Sequence, residues 1–130
     1  MSAVVEDGGY AELGPLLDRS VPIESGLPAV FWPGAVLAAS WLTGTDLYAV
    51  RPSDAAAQLG KRQVPLLVIH GDDDALVPIA HGRRLAARYG VGVWTWFVPG
   101  AAHVGAYAAN PSLYLRRVDG FLDGTLGTPV

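Results

Sequence analysis

The chain has 130 residues, no cysteine, 51% apolar and 16% charged residues, and a formal net charge of −3 at pH 7. That length suffices for one domain with a core of its own, and the missing cysteines exclude a disulfide framework, a thiolate metal site and a cysteine nucleophile. The acidic balance, with a pI near 5.4, excludes the clustered basic face that nucleic acid requires; Arg83, Arg84 and Arg88 read as a solvated helix face.

Mean hydropathy is +0.30, and the charged fraction falls below the ordinary value of about 25%. Either the chain is largely wrapped inside something, or apolar surface remains for a partner or for self-association.

Ala3-Val4-Val5 predicts a short strand closed by a turn at Glu6-Asp7-Gly8-Gly9. The segment from Met1 to Asp7 lacks the basic region and apolar core of a signal peptide, which points to a cytoplasmic setting. Tyr10 to Asp18 has helical spacing at Leu13, Leu16 and Leu17, with Pro15 in the first turn, where its missing N–H costs little. Pro22 and Gly26 then mark a loop.

Leu27 to Leu42 predicts two short helices hinged at Pro33-Gly34. No charge falls between Glu24 and Asp46, a run approaching the roughly 20 apolar residues of a membrane span. Pro28, Pro33, Gly34 and Gly44 interrupt it, however, and its flanks are acidic. The segment reads as a buried or lid-like helix pair, without a membrane span.

Asp46 to Pro52 is a connector, and Ser53-Asp54 is expected to cap a helix over Ala55 to Leu59. Leu66 to Ile69 is apolar without alternation, the pattern of a strand covered on both faces. Pro78 to Tyr89 predicts a helix with Ala80, Leu85 and Ala86 inward, stopped by Gly90. Val91 to Val98 is the next strand. Asn110-Pro111 starts a helix through Leu113, Tyr114, Val118, Phe121 and Leu122, ending near Gly124. Strand, helix, strand and helix in that order specify a parallel α/β unit.

Two loops carry the chemistry. Asp74 lies in the turn after one strand and His103 in the loop after the next, and ligands gather at the carboxyl ends of such strands. Neighbouring parallel strands lie about 5 Å apart, so the two side chains can meet. A carboxylate on one imidazole nitrogen fixes the tautomer and frees the other nitrogen to take a proton from a nucleophile. On the residues alone, a turn-forming Asp and a solvent-exposed His fit equally well.

His70-Gly71-Asp72-Asp73-Asp74-Ala75-Leu76-Val77-Pro78 resembles the acid loop of the α/β-hydrolases, His-Gly-x-x-Asp-x-x-Val-Pro, and Pro99-Gly100-Ala101-Ala102-His103 resembles their histidine loop. The resemblance is strong over 64–122 and looser before, and points to dienelactone-hydrolase-like and prolyl-oligopeptidase-like serine hydrolases. It implies a partial α/β-hydrolase fold over 1–130. Residues 1–63 would give a strand and a lid-like helical segment, and 64–130 the carboxyl-terminal β-α-β-α unit. It further implies a Ser–His–Asp mechanism on a small-molecule ester or a peptide, with Asp74 and His103 catalytic and no cofactor or metal.

Asp72 and Asp73 then read as solvated turn acids, Asp73 being a second choice for the triad acid. Three consecutive acids bring no further metal-ligand pattern with them. His70 takes a structural place, and His81 reads as exposed on its helix.

The family's serine stands in Gly-x-Ser-x-Gly, where small neighbours allow a strained elbow. Ser25 has Ile23 and Leu27 at those positions, and Ser40 has Ala38 and Leu42. The family also runs nucleophile, acid, histidine, which places the serine before Ala3. The chain is thus expected to be the carboxyl-terminal portion of a hydrolase without a recognisable nucleophile. A non-catalytic binding or assembly module, and a truncated fragment without activity of its own, are the alternatives.

Overall fold

An apolar run without polar alternation must be roofed on both faces, and Leu66 to Ile69 becomes the middle strand of a parallel sheet. The computed structural model describes residues 2–26 and 28–127. Strands β1 (Val4–Asp7), β2 (Leu66–Gly71) and β3 (Trp94–Val98) lie in the order β1-β2-β3, and all of β2 is buried. Val4 to Asp7 pair with Leu66 to Ile69, and Leu67 to Gly71 pair with Trp94 to Val98, both in parallel register. β2 and β3 therefore end level at Gly71 and Val98, while β1 ends two residues short of them, at Asp7 opposite Ile69.

The helices are α1 (Leu13–Ser25), α2 (Trp32–Thr43), α3 (Pro52–Lys61), α4 (Ala80–Tyr89), α5 (Ala106–Ala109) and α6 (Pro111–Leu126). Short 3-10 turns stand at Ala29–Phe31 and Leu47–Ala49. Alternate residues of β2 feed two cores. Leu66 and Val68 pack with Ala11, Ala56 of α3 and Leu85 of α4. Leu67 and Ile69 pack with Trp96, Val98, Ala101, Ala106 and Phe121 of α6. Each such aliphatic side chain contributes about 1.5–3 kcal/mol by leaving water. The strand–helix–strand–helix order expected of the second half is present. Asn110 starts α6 as expected, its Oδ1 accepting the Leu113 N–H at 2.9 Å with Pro111 in the first turn.

The first half departs from expectation in several places. Glu6 and Asp7 belong to β1 instead of the turn after it, because their backbones continue the pairing with Val68 and Ile69. Pro15 does lie in the first turn of α1, but the helix runs through Pro22 to Ser25 and ends at Gly26 with φ 66°. Pro22 stands in the last turns, where the loss of one N–H removes a single helical bond. Pro33 and Gly34 are no hinge: they form the first turn of α2, where proline is preorganised for helix. Leu27, the expected start of that segment, lies outside the described residues, as does Met1.

Ser53 and Asp54 are inside α3, with Arg51 at the cap position. Ser53 is buried and gives its backbone N–H to the Ala11 carbonyl at 2.9 Å, a long-range bond that replaces capping. On α4, Ala80 is exposed, while Gly82 and Leu85 face inward. Among the described residues no helix is long and apolar enough to cross a membrane.

Glu6 provides a check on the open side of the sheet. Its Oε1 accepts the Gly9 N–H, whereas Oε2 is buried with no hydrogen-bond partner among the described residues. Burial pushes the carboxyl above its ordinary value, against the opposing pull of the Gly9 N–H and His70. A raised folded pKa means the native state holds the proton more tightly. The resulting stabilisation is full below the unfolded value of 4.5 and fades as pH rises through the folded one. Glu6→Gln keeps an acceptor for Gly9 and removes the charge. Its denaturation midpoint is expected to rise relative to the parent between pH 4 and pH 7, and a difference that stays flat across that window refutes the raised carboxyl.

Candidate active site

Three loops leave the carboxyl end of the sheet side by side. Gly71 closes β2 against the histidine loop so tightly that a methyl group there would collide with the Ala101 carbonyl; only glycine fits. The Asp72 N–H donates to the Val98 carbonyl at 3.1 Å and the Asp73 N–H to the Ala101 carbonyl at 3.2 Å. Asp72 also accepts the Gly100 N–H on Oδ1 at 2.6 Å. It is exposed, as expected of a turn acid, yet it staples the acid loop to the histidine loop. Asp73 is exposed as well.

Asp74 is the acid that turns inward. Its side chain is buried, and Oδ1 accepts the N–H groups of Leu76 at 3.0 Å and Val77 at 2.7 Å. Those donors fix the carboxylate plane and aim Oδ2 at His103 Nδ1, 2.9 Å away. A carboxylate oxygen only accepts, so Nδ1 carries a hydrogen, and in the neutral imidazole Nε2 is then the nitrogen with the lone pair. The His103 side chain is 37% exposed against 0% for Asp74, which leaves Nε2 open to an incoming group. The arrangement can accept a proton at Nε2 and hold the resulting imidazolium against a buried carboxylate.

The residue after His103 is held in an uncommon conformation. Val104 has φ 51°, in the left-handed region that costs an L-residue about 1–2 kcal/mol and is rarer still for β-branched side chains. It packs beside Gly8 at the end of β1, where an added Cβ would meet Val104 Cγ2 at 3.2 Å. Asparagine adopts this region readily, so Val104→Asn is expected to stabilise the fold by about 1 kcal/mol. An unchanged or lowered midpoint in chemical denaturation counts against strain at this position.

The other histidines differ in kind. His70 is fully buried, in agreement with a structural place. His81 departs from expectation: it is half-buried, and its Nδ1 accepts the Ala11 N–H at 3.2 Å. Burial, and secondarily His70, push its imidazole below the ordinary value. A partner 70 residues away leaves no local trace in sequence. Among the described residues no group of three or more His, Asp and Glu side chains is placed to hold a metal ion.

The helical segment before α3 touches this end of the molecule. Ser20 of α1 donates its hydroxyl to the Leu76 carbonyl at 3.2 Å, beside the acid loop. A cleft of about 720 Å³ is lined by Val36, Leu37 and Trp41 of α2 with Tyr48, and neither Asp74 nor His103 lines it. Ser40, at its wall, accepts the Leu47 N–H at 3.3 Å.

No family model matches the chain. Among curated proteins, an alpha/beta hydrolase domain-containing protein of Caenorhabditis elegans is 41% identical over 61 residues, 45% of this chain and 17% of that protein. Among solved structures, an esterase of Pyrococcus furiosus superposes with a TM-score of 0.68 at 22% identity, covering 98% of this chain and 46% of the esterase. A Mycobacterium tuberculosis protein described as a non-heme bromoperoxidase superposes with a TM-score of 0.59 at 17% identity, covering 96% of this chain and 59% of that one. At such identities the likeness to the solved structures is one of fold. The chain spans about half the length of those structures and a smaller part of the curated relative.

Proposed function

We propose that this chain, which carries part of the α/β-hydrolase fold, supplies the acid and the histidine of a Ser–His–Asp site that hydrolyses small carboxylic esters or, as a second substrate class, peptides. The observation that carries the reading is the 2.9 Å contact from His103 Nδ1 to buried Asp74 Oδ2, with the far side of the imidazole open. In this mechanism Nε2 takes the proton of a nucleophilic hydroxyl as its oxygen bonds to the ester carbonyl carbon. The imidazolium then gives that proton to the departing alkoxide. Water repeats the cycle on the acyl intermediate and restores the hydroxyl, and Asp74 stays ionised throughout. The esterase likeness among the solved structures supports the ester class.

No serine of the chain stands in a Gly-x-Ser-x-Gly setting, so the nucleophile is assigned to polypeptide outside this sequence. Residues 64–130 form the reactive unit, and 1–63 the segment that covers it. The purified chain is expected not to turn over a p-nitrophenyl ester, and the chain extended by its upstream reading frame is expected to do so. Turnover by the chain alone that disappears in His103→Ala would show that a nucleophile is present after all.

A second reading has its own observation. Phe31, Leu37, Trp41 and Leu42 are 62%, 72%, 81% and 76% exposed, an apolar surface of the kind that marks a binding or self-association face. Concentration-dependent sedimentation that ignores both Asp74→Asn and His103→Ala, in a chain without hydrolysis in any form, favours an assembly module.

A further inference from the structure

We infer that His70 is a positioning residue that locks the turn carrying Asp74, and through it the Asp74–His103 pair; the value of that lock to catalysis rests on the function proposed above. His70 is fully buried at the end of β2. Its Nε2 lies 2.8 Å from the Val77 carbonyl, and a carbonyl can only accept, so Nε2 carries the hydrogen and donates it. The same peptide stretch works from both sides: the Val77 N–H donates to Asp74 Oδ1 at 2.7 Å. One residue thus takes a hydrogen bond from the inner histidine and gives one to the acid.

The remaining geometry agrees. His70 Nε2 is 3.6 Å from Asp74 Oδ2, against 2.9 Å for His103 Nδ1. Two imidazoles therefore flank one carboxylate oxygen. The outer one is hydrogen-bonded to it, while the inner one has its hydrogen committed to Val77.

Helix α4 holds the inner ring in place. A Cβ on Gly82 would stand 2.8 Å from His70 Nδ1 and 3.0 Å from its Cβ and Cγ, so the ring occupies the space a side chain at 82 would need. Nδ1 is buried with no hydrogen-bond partner among the described residues. With Nδ1 unpartnered, the Nε2 bond to the Val77 carbonyl is the hydrogen bond the ring supplies among the described residues, and it offsets part of the cost of burying the imidazole.

The test compares two polar variants of the full chain. His70→Gln places an amide N–H near the reach of Nε2, and His70→Asn is too short to meet Val77. Two signals are read without substrate: the imidazole Nδ1–H resonance of His103, and amide hydrogen exchange at Leu76 and Val77. His70→Gln is expected to keep both. His70→Asn is expected to lose the His103 resonance and to speed exchange at Leu76 and Val77 at least tenfold, with Val68 and Ile69 changing under about threefold. Like behaviour of the two variants, or loosening spread evenly over the strand, overturns the inference.

If His70→Asn does not fold, Gly82→Ala replaces it. Its methyl group displaces the ring, and the two turn amides must again loosen ahead of the strand; even loosening, or none, refutes the lock. Absence of hydrolysis leaves these signals standing. Conversely, an active assembly with unaltered signals in the deciding variant removes the lock without touching the proposed function.

Discussion

In a hydrolytically competent assembly containing this chain, Asp74→Asn is expected to lower kcat for a p-nitrophenyl ester by about 10⁴ and His103→Ala by about 10⁶. The two losses have different causes. Alanine at 103 removes the base. Asparagine at 74 leaves the fold alone, because its carbonyl oxygen still receives the N–H groups that reach Asp74 Oδ1 from Leu76 and Val77. Those donors fix which end of the amide faces His103, and that end is the NH2 group. His103 Nδ1 must then accept instead of donate, which moves the imidazole hydrogen to Nε2. An imidazole in that tautomer cannot take a proton from a nucleophile.

Stability separates this variant from a cruder one. Asp74→Ala leaves the buried Val77 N–H without its acceptor, at a cost of about 1–3 kcal/mol. It leaves the Leu76 N–H, on an exposed residue, to water, whereas Asp74→Asn keeps both satisfied. Chemical denaturation beside steady-state kinetics distinguishes the two. Activity of Asp74→Asn within tenfold of the parent would show that the carboxylate is not orienting a base.

Strand ends made that pairing possible but did not select it. Once Leu66–Ile69 and the run ending at Val98 are parallel neighbours, the loops after them emerge together, while a turn-forming Asp and an exposed His fit the residues equally well. The resemblance of 70–78 and 99–103 to the hydrolase acid and histidine loops singled out Asp74 from Asp72 and Asp73. What the sequence hid was set by long-range contacts. Ser53 gives its N–H to Ala11 and so does not cap, and His81 gains its burial from a backbone donor far away in sequence. The staple from Asp72 to Gly100 and the left-handed Val104 depend on how two loops meet, which neither loop encodes by itself. Pro33-Gly34 misled because a proline that opens a helix and one that breaks it look alike until the helix start is known.

The support beneath the histidine loop gives the second large effect, which is on stability. Phe121 of α6 is fully buried among Leu67, Ile69, Trp96 and Val98, and Trp94 meets its ring edge-on at 5.6 Å between centroids. Phe121→Ala is expected to cost about 3–5 kcal/mol, a large part of the 5–15 kcal/mol that ordinary domains possess. Leu115→Ala on the same helix removes a side chain that is 50% exposed and should stay within about 0.5 kcal/mol. Midpoints in urea with an unchanged slope measure both, and equal effects would contradict the burial of α6 on the sheet. The consequence reaches the active end. Ala101 and Ala106 belong to the same cluster as Phe121 and bracket His103 in sequence. A cavity at 121 should therefore loosen the histidine loop, with amide exchange at Ala101 and Ala106 rising before that of Val68 on the opposite face.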